Sequence, residues 1–298
     1  MFVDIFYKKY NIIVMLKMEI KIKKFDPSKI SKDKVCVTIG KRGSGKSTLV
    51  ADLLWYVRSI PLMICMSGTE EGNHYYRNII PDSYIYGEFK PDILEAGIKR
   101  QKNLMRKGIR KNSELGFLLD DLMYDKSMIK HPLIRQIFMN GRHWKLFFML
   151  TMQYMMDMPP DLRANIDYLF IFRETTPANH KKLYDQFFGI FPNKDSFVDV
   201  LMQCTEDFSC LVLDNTSKSN KIEDVVFWYK AAYPLKEYRI GCDKLWNFHK
   251  KHYNPKHDHD DEKMNTNNLK KKSKLTLKVQ KIEKEDNTCQ KIKKKIIT

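Results

Sequence analysis

What the chain lacks narrows its class first. Its six cysteines, at positions 36, 65, 204, 210, 242 and 289, form no CxxC pair and no regular framework, so they read as reduced, intracellular thiols rather than a disulfide scaffold. No apolar run reaches the length of a membrane span. The patch NIIVML (11–16), flanked by lysines, is too short, and no small-residue cleavage site follows it, so the reading is a soluble protein. Met18, which opens the strand-like alternation MEIKIKKFD, is an alternative start. There is no internal repeat. Acids are scarce against bases, 36 to 53, for a formal net charge of +17 and a pI near 9.4. That imbalance favours a polyanionic partner, nucleic acid before an anionic membrane.

What is present suits a folded domain. With 298 residues, 43% hydrophobic and 12% aromatic, the chain can bury one large α/β domain or two small ones. A composition shift near residue 249 marks off a tail rich in Lys, Asn, Asp and His. From Lys250 onward it holds fifteen lysines against seven acids, which leaves the body at +9. This tail reads as disordered, residues 1–30 as a basic lead-in with some strand, and 31–248 as the main folded domain. Within that domain, β-branched or apolar runs alternate with helical patterns. Strands are expected at 34–40, 61–68, within SYIYG, at 116–121, in KLFFMLTMQY, and at 168–174, 208–215 and 224–231, the last two as an edge hairpin. Helices are expected from Lys46 to Arg58, from Pro91 toward Arg110, near 128–139, and as a consecutive pair in 176–204. The alternation predicts a mostly parallel sheet flanked by helices.

The chemistry concentrates in three segments. GKRGSGKS, Gly40 to Ser47, fits G-x-x-x-x-G-K-[ST] between a predicted strand and an amphipathic helix, where backbone N–H groups and a helix N-terminus can cradle phosphates. The expected nucleotide-binding residues are Gly40, Lys41, Arg42, Gly43, Ser44, Gly45, Lys46, Ser47 and Thr48, with Lys46 on the β- and γ-phosphates and Ser47 on Mg²⁺. GFLLDD ends a buried strand in two acids. Asp120 is placed in the Mg²⁺ shell and Asp121 where it can polarise an attacking water; the alternative is that the pair merely begins a loop. FMLTMQY, 148–154, turns polar at Thr151 and Gln153. In a doubly wound sheet the C-terminal strand ends converge on the ligand crevice, so Gln153 can bond both γ-phosphate and water; otherwise it caps a strand. Guanine-reading switches need N-K-x-D, and NKDS (193–196) has Ser196 in place of the acid, so ATP is the expected nucleotide.

Arg142, in NGRHW before that strand, is a candidate arginine finger. It would lie at the end of its strand opposite Gln153 and so serve a neighbouring subunit; Arg163 and Arg173 are weaker candidates. His249, His252, His257 and His259 with Cys242 are spaced too irregularly to read as a zinc site. The basic helix at 98–111 can track phosphates or simply present a solvated face.

Together the P-loop, FLLDD, the NGRHW–strand–Gln153 unit and RANIDYLFIFRE resemble the poxvirus-type genome-packaging ATPases of large nucleo-cytoplasmic DNA viruses, a branch of the FtsK–HerA superfamily. The resemblance spans roughly residues 30–230. It implies a RecA-like ASCE fold and ATP-driven movement of double-stranded DNA into a preformed capsid at an assembly site in the host cytoplasm. A homo-oligomeric ring and a capsid or portal partner are implied with it. Wider relatives often carry Glu where this chain has Asp121, and the finger transfers to Arg142 by position only. Three readings stay open beside it: another DNA-dependent ATPase such as a helicase or DNA pump, a small-molecule or nucleotide kinase, and a DNA-binding protein with a vestigial P-loop.

Overall fold

A mixed sheet organises the residues that the computed structural model describes: 20–69, 74–122, 127–154 and 158–253. The NIIVML patch, Met18, His257, His259 and the lysine-rich stretch beyond 253 lie outside them. In chain order the strands are β1 (Lys23–Lys24), β2 (Val35–Ile39), β3 (Leu62–Ser67), β4 (Ile85–Tyr86), β5 (Leu115–Asp120), β6 (Leu146–Met152), β7 (Tyr168–Ile171), β8 (Ser209–Asp214) and β9 (Val226–Lys230). They lie side by side as β1-β9-β8-β7-β2-β6-β5-β3-β4. All neighbours are parallel except that β8 runs against both β7 and β9. The helices are α1 (Lys46–Tyr56), α2 (Pro91–Arg106), α3 (Pro132–Asn140), α4 (Pro160–Arg163), α5 (Pro177–Phe187), α6 (Lys194–Cys204), α7 (Ile222–Val225) and α8 (Asp243–His252).

Successive side chains of a strand face opposite ways, so the central strands feed two cores. Val37, Phe117, Leu119, Phe148, Leu150 and Leu169 pack on one face with residues of α2, α3, α5 and α6. Cys36, Leu118, Phe147, Met149 and Phe170 pack on the other with α1. Burial on both faces explains why these strands read as continuous apolar runs rather than alternating ones.

The structure departs from the sequence expectations at element ends. Strand β7 stops at Ile171 rather than 174, because Glu174 turns to the start of α5 and accepts from the Thr175 and Thr176 amides at 2.8 Å each. Helix α2 stops at Arg106, short of 110, and Gly108 turns the chain away at φ +70°. Strands β8 and β9 are the expected antiparallel pair, but β9 is not the edge: β1 pairs with its outer side, and α7 interrupts the connection. Helix α8 runs through His252, past the compositional change at 249, held by buried Leu245 and by Trp246 Nε1 donating to Ile240 O at 3.0 Å.

Candidate nucleotide site

Strand β2 lies in the middle of the sheet, between β6 and β7, and its C-terminal end opens into the Gly40–Gly45 loop. Gly45 is the N-cap of α1 at φ +96°, a backbone conformation that strains any L side chain. Gly40 is pressed from below: a Cβ there would come within 2.8 Å of Phe172 Cβ. No side chain caps α1, so its first N–H groups face the loop with the positive end of the helix dipole behind them. Lys46 Nζ donates to the carbonyls of Gly40 (2.6 Å) and Lys41 (2.9 Å). Burial holds the Lys46 ammonium below the usual lysine value, against the opposing influence of Asp121 and Asp120. Lys41 reaches outward to Glu174 Oε1 at 2.8 Å. Burial would raise the Glu174 carboxyl, but the bonds from Lys41, Thr176 and Asn179 outweigh it and bring the pKa to about 2.

The acid pair ends β5 two strands away, with β6 between. Register places Ser67 beside Asp120 and Thr38 beside Thr151, so the polar tips of four strands form one row. Thr151 braces the row. Its hydroxyl donates to Asp120 Oδ1 at 2.6 Å and accepts from the Asp121 amide at 3.0 Å. Burial pushes the Asp120 carboxyl above the ordinary aspartate value, and bonds from the Thr151 and Tyr76 hydroxyls offset this only in part. Asp121 adopts φ +50° at the turn, and Gln153 Nε2 donates to its Oδ1 at 2.6 Å. The glutamine and the second acid are thus one hydrogen-bonded unit.

These groups share one cavity of about 870 Å³, lined by Arg42, Gly43, Gly45, Lys46, Ser47, Thr48, Asp120, Asp121 and Gln153. Ser44 faces the adjoining recess beside Phe172 and Arg173, and its buried hydroxyl has no partner among the described residues. A buried carboxylate braced by uncharged hydroxyls, sharing a cavity with the Ser47 hydroxyl, is a hard-oxygen donor set that fits Mg²⁺.

Sequence reasoning missed the brace, Thr151, although the polar break in an apolar strand was its signal. It also missed Phe208, Lys230 and Tyr233, which line the same cavity from the late strands and carry no motif.

Of the candidate fingers, Arg173 flanks the recess beside Ser44, while Arg142 and Arg163 do not line the cavity. Arg142 sits before β6, separated from Gln153 by a seven-residue strand, roughly 23 Å at ~3.3 Å per residue. Its guanidinium donates to Asp167 Oδ1 at 2.6 Å, and Lys34 Nζ shares that oxygen at 3.0 Å. Arg163 donates to Met158 O and Arg173 to Met202 O. Among the described residues no three or more His, Cys, Asp or Glu side chains gather as metal ligands, and no helix is long and apolar enough to cross a membrane.

A P-loop on a central parallel strand, with one strand inserted before the acid-tipped neighbour, defines a RecA-like P-loop NTPase fold of the ASCE type. No protein-family model matches the chain. Protein L437 of Acanthamoeba polyphaga mimivirus is 37% identical over 244 residues, covering 79% of this chain and 85% of its own length. Protein 075L of Invertebrate iridescent virus 6 is 38% identical over 224 residues, covering 74% and 86%. The chain belongs to this family of large DNA virus proteins. Among solved structures, the genome packaging NTPase B204 of Sulfolobus turreted icosahedral virus 2, in complex with AMPPCP, aligns with a TM-score of 0.48 at 16% identity, over 68% of this chain and all of that one. The pCW3 conjugation coupling protein TcpA aligns with a TM-score of 0.48 at 15% identity, over 68% and 61%.

Proposed function

We propose that this chain is an ATP-hydrolysing motor that drives double-stranded viral DNA into a preformed capsid, working as a homo-oligomeric ring at the assembly site in the host cytoplasm. The observation that carries the hydrolytic reading is the 2.6 Å bond between Gln153 and Asp121 in the same cavity as the P-loop. A kinase must keep water from the γ-phosphate, whereas a carboxylate oriented by an amide is suited to position water there. Asp121 accepts a proton from water as its oxygen bonds to the γ-phosphorus, and the bond to the β–γ bridging oxygen breaks, releasing ADP and phosphate. Gln153 orients both Asp121 and the water. Lys46 leaves the loop carbonyls for the β- and γ-phosphate oxygens, and Ser47 and Asp120 hold Mg²⁺. Bound Mg²⁺ supplies charge neutralisation at the phosphates.

Arg142 is the finger for a neighbouring subunit. Its distance from Gln153 keeps it from its own nucleotide, and Asp167 retains Lys34 as a partner when it leaves. The basic body, with Lys99, Arg100, Arg106 and Arg110 exposed on and after α2, supports a DNA partner. Membership in a family of large DNA virus proteins supports the packaging role.

The test is steady-state ATP hydrolysis at low and moderate salt, with and without long double-stranded DNA. The motor reading expects stimulation that fades as salt rises. Hydrolysis indifferent to DNA at every salt concentration and in the assembled ring would contradict it.

A further inference from the structure

The geometry points to Phe208, with Tyr233, as the nucleobase-binding wall of the cavity: the Phe208 ring stacks on the base of the bound nucleotide. This rests on the nucleotide reading above and adds the half of the ligand that the P-loop motif does not describe. Three observations on this chain meet at Phe208.

The first is strain. Asp207 and Phe208 both adopt left-handed backbone angles, φ +48° and +61°, just before β8. A bulky residue in that region is an outlier, and such strain gathers at ligand clamps. The second is waste. Phe208 is 68% exposed while Cys210, Leu211, Val212 and Leu213 behind it are buried, so the ring adds little to the core. The third is position. A Cβ on Gly45 would lie 3.5 Å from Phe208 Cδ1, so the ring rests against the last glycine of the P-loop. Tyr233, 87% exposed, lines the same cavity with Lys230 and Ala231 beyond the end of β9.

Asp120, Asp121, Gln153 and the phosphate loop account for most of the polar lining. The two unburied aromatic rings account for what a planar, apolar ligand group would need. Every base has a π-face, so stacking on a phenyl ring holds a base without reading its edge. Base selectivity is accordingly modest.

The test is titration calorimetry on the full chain with Mg-ATPγS and with Mg-tripolyphosphate, which has the phosphates but no base. Wild type should bind ATPγS more tightly than tripolyphosphate. Phe208→Ala should lose about tenfold in ATPγS affinity, the order expected for one base stack, with tripolyphosphate binding unchanged. Phe208→Trp should keep ATPγS affinity. Unchanged ATPγS binding by Phe208→Ala would overturn the proposal, and so would an equal loss for both ligands, which would mean that the ring only props the P-loop. Loss of subunit association with both affinities intact would also overturn it, making the ring a subunit contact. Wild type that bound neither ligand would instead remove the nucleotide reading on which the proposal rests.

Discussion

Asp120 and Asp167 are both buried, at 3% and 6% exposure, at opposite edges of the parallel part of the sheet, Asp120 at the C-terminal end of β5 and Asp167 just before β7. Asp167 is fully served. Lys34 and Arg142 donate to one oxygen, and the Val35 amide donates to the other at 2.9 Å. Among the described residues Asp120 is bonded by hydroxyls alone, from Thr151, Ser67 and Tyr76, while the nearby Lys46 ammonium is engaged by loop carbonyls. A buried carboxylate with no cation bonded to it is costly, and in the proposed function Mg²⁺ is the cation that serves it. In that proposal the contrast separates a carboxylate that ties strands together from one held ready for Mg²⁺.

The largest expected effect breaks the contrast at the ligand end. Asp120→Asn removes several kcal/mol of charge stabilisation at the phosphates, so hydrolysis should fall on the order of 10³-fold. The same substitution should leave the nucleotide-free protein at least as stable as wild type, as read by thermal melting at neutral pH. The sign follows from the raised carboxyl. Its neutral form is favoured in the fold, so its stability contribution is present below the ordinary aspartate value and lost as pH rises through the raised one. Asparagine keeps the neutral form at every pH. A melting temperature well below wild type would show that Asp120 is structural after all.

Asp167→Ala should do the reverse. Leaving Lys34 and Arg142 without their carboxylate, at the ends of β2 and β6, should lower stability by about 3 kcal/mol in denaturant titration. It should leave intrinsic hydrolysis by dispersed subunits near wild type.

Arg142→Ala tests whether that end of the sheet serves a neighbour. Hydrolysis in the assembled ring should fall roughly 10²-fold, and mixing this variant with Lys46→Ala should restore part of the turnover. Mixtures no more active than the sum of their parts would rule out a finger in trans.

The smallest effect concerns the strut behind the loop. Glu174 has its carboxyl pKa brought to about 2 from the ordinary 4.5. The stability it contributes is present above pH 4.5 and is lost as pH falls toward 2. Glu174→Gln keeps an acceptor for the Thr175 and Thr176 amides but loses the charge that holds Lys41. Acid unfolding should therefore become less steep between those pH values, with KM for ATP raised a few-fold at neutral pH.

Much of this site is legible in the sequence because its parts are local. Gly40 to Ser47 carry their backbone requirement in eight consecutive positions, and Asp120–Asp121 mark the end of an apolar run. Gln153 also could be placed, because parallel strands deliver their C-terminal ends to one edge. What could not be read depends on strand order. Thr151 braces Asp120 only because β6 lies next to β5, and Phe208 and Tyr233 reach the cavity only because β8 starts, running back along β7, and β9 ends, running forward again, at that edge of the sheet. Residues 208 and 233 are separated from the P-loop by more than 160 positions, and no periodicity links them to it. Element ends were equally hidden, because Glu174 ends its strand through bonds to the following helix.

The most direct test of the hydrolytic unit is phosphate release by Asp121→Asn alongside its affinity for Mg-ATPγS. The Gln153–Asp121 arrangement predicts wild-type-like binding with hydrolysis abolished, since the P-loop and Asp120 are untouched and only the proton acceptor is lost. Hydrolysis by Asp121→Asn at the wild-type rate would contradict the account.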